Sequence, residues 1–148
     1  GRVAGMRNLN RSVVAFVGIV VLVAAASSCG DDSSGSGSTD LPEVPDSEFV
    51  DMTGRDEIVI DAKDNKFEAK FVTVSPGTKI VFENRGRNPH TVVPVEKDQF
   101  ETITVEDFQP GATGTLVVED DELYPYYCSL HGTATAGMDG RIRVEADS

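Results

Sequence analysis

"YYCSLHGTATAGMDGRIRV", residues 126–144, reads as strand, turn and strand within nineteen positions. Its first part alternates so that Tyr126 shares a face with Cys128 while Tyr127 points the other way, and its last part, "GRIRV", alternates again. Between them lie small residues, Gly132 to Gly137, which favour a tight return. The spacing predicts that Cys128 ends its strand and that His131 lies in the loop leaving it. This stretch also holds the one thiol of the distal chain, a histidine three residues on, and Met138 where the second strand begins.

The same period-two pattern recurs outward from this hairpin. "EIVIDA", "KFVTV", "TKIVFEN", "HTVVPV", "ETITV" and "TGTLVVED" are short β-branched runs. Turn formers separate them: Asp64-Asn65, Ser75-Pro76-Gly77, Arg85-Gly86 and Gln109-Pro110-Gly111. No helical period of ten residues competes, although residues 97–108 are ambiguous. We expect an all-β Greek-key β-sandwich or barrel of seven to eight strands, antiparallel in its pairing. Alternation puts Ile80 and Phe82, Leu116 and Val118, and Ile142 and Val144 on inner faces.

The N-terminal part is of another kind. Arg2, Arg7 and Arg11 precede an unbroken apolar run from Val13 to Ala26, fourteen residues, too short to span a bilayer comfortably. Residues 1–28 read as a signal peptide, with Met6 as the start. The junction "AAASSCGDD" resembles the lipobox of bacterial lipoproteins, in which the cysteine is lipidated; that cysteine is Cys29, with plain cleavage as the alternative reading. A Cys29–Cys128 disulfide is disfavoured, because Cys29 sits beside a flexible tract that cannot hold bridging geometry. Residues 29–52 form a Gly/Ser/Asp-rich tether with a reach on the order of 25 Å, and residues 53–148 a single domain. Removing residues 1–28 takes away three arginines and no acid, moving the formal charge from −12 to −15. Such a field disfavours nucleic acid and suits cationic partners, or serves solubility alone.

A lone thiol in an oxidising compartment is a liability unless something occupies it. The chain has only two histidines, His90 and His131. A thiolate, two imidazoles and a thioether stabilise both oxidation states of copper; zinc, the rival, prefers a closed tetrahedral set and gains little from methionine. Cys128, His131 and Met138 come from one loop, and His90, opening the run after "NRGRNP", must come from another strand and so tie metal binding to folding.

"PHTVV", followed by "YYCSLHGTATAGMDGRIRV", resembles the blue-copper cupredoxins of the plastocyanin-like group, and "FVTVSPGTKIVFEN" resembles the strand-turn-strand before their first ligand. The resemblance implies one copper ion with His90, Cys128 and His131 as equatorial ligands and Met138 as the axial one. Six residues separate His131 from Met138, a longer interval than the group usually has. The resemblance also suggests a docking role for the acidic run Glu119–Glu122 near Tyr127, a run that reads equally as a solvated turn. A second candidate surface is the apolar rim of Leu130, Ala134, Ala136, Pro89 and Pro94 around His131. Thr91 and Asn88 are candidate braces of the site.

The expected function is therefore that of an extracytoplasmic single-electron carrier, anchored to the bacterial cell membrane through lipid at Cys29, monomeric, and exchanging electrons with redox protein partners. Copper storage or delivery by the same residues is the alternative. No enzyme is expected, since a second copper site would need more histidines than the chain holds and no hydrolase constellation is present.

Overall fold

The computed structural model describes residues 40–146; the signal-peptide segment, Cys29 and the first part of the tether lie outside them. Eight strands form two sheets: β1 (Val50–Asp51), β2 (Glu57–Ala62), β3 (Phe71–Val74), β4 (Thr78–Asn84), β5 (Val93–Pro94), β6 (Thr113–Val118), β7 (Leu123–Thr133) and β8 (Ala136–Val144). The five-stranded sheet runs β1-β3-β8-β7-β5 and the three-stranded sheet β2-β4-β6. The architecture is an all-β sandwich. Among the described residues no helix is long and apolar enough to cross a membrane.

Strict alternation explains how the sheets meet. On β2, Ile58, Ile60 and Ala62 are buried while Glu57 and Val59 face out. Ile80 stands opposite Leu116, and Phe82 opposite Gly114, in the β4–β6 ladder. From the other sheet come Val72, Val74, Tyr124, Tyr126, Ile142 and Val144, all in one cluster with the first set. Every inner-face residue named from the alternation is buried. At the centre, Phe67, Phe82 and Tyr126 pack edge to face with ring centroids 5.0–5.9 Å apart. Such aromatics contribute through buried area and through the quadrupole preference for this geometry.

Three features depart from the sequence expectation. Pairing is mixed, with β1–β3, β2–β4 and β3–β8 parallel. Alternation shows which side chains face inward but not which strands become neighbours. "ETITV" forms no strand, only a bridge from Ile103 to Val92, and "HTVVPV" forms a strand only at Val93 and Pro94, next to that bridge. Pro94 has no N–H to donate, which suits an edge. The sheet also begins before Thr53: β1 pairs with β3, Met52 N–H donates to the Thr73 carbonyl at 2.8 Å, and Met52 packs on the core. Arg143 clamps this strap, its guanidinium 4.1 Å from the Phe49 ring centre and ion-paired with Asp46.

Candidate metal centre

The site is built where the β7–β8 ladder breaks. Tyr127 pairs with Asp139, and the next pair is Gly132 with Gly137, so residues 128–131 face Met138 alone. A bulge of this kind bends its strand and re-aims side chains. The strand therefore does not stop at Cys128: β7 continues through Thr133, and His131 lies in the bulge rather than in a free loop. Glycine is needed on both sides of the break. A Cβ on Gly132 would come within 2.4 Å of the Met138 nitrogen, and Gly137 has φ +84° with the His131 carbonyl 2.7 Å from its would-be Cβ.

His90 arrives from the segment after β4, and hydrogen bonds hold the backbone around it. Buried Asn84 donates to the carbonyls of Asn88 and Phe108, both at 2.9 Å, and accepts from Gly86 N–H at 3.0 Å. His90 N–H donates to the Phe108 carbonyl at 3.2 Å. Asn84 was not singled out in the sequence, yet a signal was there. It continues the inward series Ile80, Phe82, Asn84, and a polar residue at such a position must find partners. Thr91 does brace the site: its N–H donates to Cys128 Sγ at 3.4 Å and its hydroxyl accepts from Ser129 N–H at 2.8 Å. Asn88 contributes through its carbonyl.

These two frames bring three donor atoms together. His90 Nδ1 and His131 Nδ1 stand 3.1 Å apart, and Cys128 Sγ lies 3.8 Å from the first and 3.5 Å from the second. The point equidistant from all three is about 2.0 Å from each, close to the ~2.0–2.3 Å bonds that nitrogen and sulfur ligands make to an ion of this class. Soft thiolate beside imidazole is the donor chemistry of copper. A family model, copper binding proteins of the plastocyanin/azurin family, matches residues 55–145.

The chain belongs to the plastocyanin/azurin family of copper-binding proteins. It is 34% identical over 82 residues to a plastocyanin of Rumex obtusifolius, covering 49% of this chain and 81% of that protein. A plastocyanin of Lactuca sativa is 32% identical over 88 residues, covering 53% and 86%. Among solved structures, a reduced amicyanin variant superposes with a TM-score of 0.51 at 26% identity, over 60% of this chain and 81% of amicyanin. Copper is the cofactor of this family member.

The environment of the copper site suits metal binding. His90 and Cys128 are fully buried and His131 is half-buried. Burial, then the charge of His131, pushes the His90 pKa below its ordinary value, against the opposing influence of Asp64 and the Lys63 carbonyl. The imidazole is thus held neutral, the form that binds metal. Met138 is fully buried, its main chain against Gly132.

The two candidate surfaces separate. Leu130 is 51% exposed beside His131, with Pro89 and Ala134 half-buried and Ala136 exposed. Glu119–Glu122 is an exposed turn between β6 and β7, at the start of β7. Tyr127's neighbours across the sheet are Val93 and Asp139, not that run.

Proposed function

We propose that this copper protein carries single electrons between redox partners outside the cytoplasm, with His90, Cys128, His131 and Met138 as the metal ligands. The observation that carries the reading is the triangle of donor atoms at 3.1–3.8 Å, held by hydrogen bonds from Asn84 and Thr91. Copper, when bound, supplies a one-electron couple. The residues do the rest. Asn84 and the Phe108 carbonyl fix where His90 stands, so the imidazole need not move when charge changes. Thr91 N–H points at the thiolate sulfur and stabilises its negative charge, as donors near metal ligands do. Complete burial of His90 and Cys128 excludes water from that side. His131 alone is partly exposed, and the apolar rim at Leu130 lets a partner approach its edge with little to desolvate. No substrate bond is made or broken.

The strongly acidic surface, including Glu119–Glu122, favours cationic partners. The apolar run of residues 13–26 and the small-residue junction at Cys29 support export and lipid anchoring at the bacterial cell membrane.

Titrating Cu(II) into the chain from Gly30 onward is expected to give an intense visible absorption that survives repeated reduction and reoxidation with metal retained. A colourless adduct would overturn the reading, and rapid loss of Cu(I) to a chelator would move it to copper delivery. Stopped-flow oxidation of the reduced protein by a cationic inorganic complex is expected to slow in Leu130→Lys. An unchanged rate would remove His131 as the exchange edge.

A further inference from the structure

The outer face of the five-stranded sheet carries a groove that copper chemistry does not use. Leu123, Pro125, Arg141 and Arg143 alternate with the inward-facing Tyr124, Tyr126, Ile142 and Val144, so they form its floor, and they pair in register as Leu123 with Arg143 and Pro125 with Arg141. The strap that precedes β1 supplies the other wall through Leu41, Pro42 and Phe49. The space is about 680 Å³, within the ~300–1,000 Å³ of small-molecule sites. The family match begins at residue 55, so the strap wall is an addition outside the matched region.

The two arginines on the floor differ. Arg143 is occupied: it pairs with Asp46 and Glu145, donates to Thr73 Oγ1 and covers Phe49. Arg141 is only 6% exposed, and its guanidinium lies 5.8 Å from the Phe71 ring centre. Its main-chain N–H donates to the Lys70 carbonyl, and the residue lines the groove floor. A guanidinium has five donors in a planar fork, and a carboxylate meets two of them at once. The cation–π contact with Phe71 steadies the guanidinium without using those donors. The charges at the mouth narrow the choice. Asp40 and Glu43, both exposed, also line the groove and disfavour a second negative charge on whatever enters.

We propose that this groove binds an apolar monocarboxylate, its carboxylate held by Arg141 and its hydrocarbon body lying between the strap and the sheet. The test is calorimetric titration of decanoate, decanol and decanedioate into the copper-loaded chain. Decanoate is expected to bind at least about tenfold more tightly than either of the others, given the strength of a charge-assisted bidentate pair. Arg141→Met is expected to cost about tenfold or more while leaving the visible copper absorption unchanged. Leu41→Trp fills the groove from the strap side without touching the charge on Arg141, and is expected to weaken decanoate as well. The absence of decanoate binding, equal binding of decanol, or unchanged affinity in a folded Arg141→Met overturns the proposal. Should Arg141→Met not fold, unchanged affinity in Leu41→Trp overturns it. Because decanoate affinity is read independently of metal loading, its failure would leave the electron-carrier reading untouched.

Discussion

The two sheets of this protein are built to different rules. The three-stranded sheet keeps unbroken register along β2, β4 and β6, supplies none of the three converging donors and reaches the site only through Asn84 at the end of β4. The five-stranded sheet mixes parallel and antiparallel pairs and breaks its longest ladder between Tyr127 and Gly132, and Cys128 and His131 stand in that break. Regular ladders fix side chains at intervals set by the strand, which do not converge on a point. A bulge can aim two of them at one place, so the irregular sheet supplies two of the three converging donors, His90 comes from the segment after β4, and the regular sheet supplies the rigidity behind them.

The sharpest way to break this division of labour is Cys128→Ser. It should abolish the visible absorption entirely, yet leave a folded sandwich weakened by only about 1–3 kcal/mol for the buried hydroxyl, as thermal unfolding of the metal-free form would report. A collapse of the fold would show that the irregular sheet is structurally indispensable at that point. Phe82→Ala tests the converse. Phe82 is fully buried between Phe67 and Tyr126, and its loss should cost about 3–5 kcal/mol by denaturant titration. Under folding conditions the copper spectrum should be that of the parent; a changed spectrum would mean the regular sheet shapes the site through its core and not through Asn84 alone.

Legibility followed the same division. Runs such as "EIVIDA" and "TKIVFEN" became β2 and β4 residue for residue, because a half-buried strand writes its period into the sequence. Cys128, His90 and His131 were conspicuous by rarity and residue chemistry, and their convergence needed only two segments. What stayed hidden was relational. Parallel pairing of β3 with β8 joins residues about seventy apart, and nothing in either run names the other. β1 is two residues long, too short for a period, and its place depends on Arg143 far along the chain. Asn84 was legible in principle, as a polar residue on an apolar inward series.

Gly132→Ala sharpens the comparison at finer scale and with a smaller expected effect. The added methyl would meet the Met138 nitrogen at 2.4 Å, so the bulge must shift. A stability loss of about 1–3 kcal/mol should come with a displaced absorption maximum. An unmoved spectrum would show that the ligands are held by Asn84 and Thr91 alone, with no contribution from the break.

The long interval between His131 and Met138 acquires a meaning from the way it is folded. Gly132 pairs with Gly137 and Thr133 with Ala136, so the additional length is laid down two residues at a time as rungs projecting past the ligands. Lengthening or trimming that spur by pairs leaves the crossing at Gly132 and Gly137 where it is. Evolution can therefore resculpt the surface of this tip without moving the crossing beneath it.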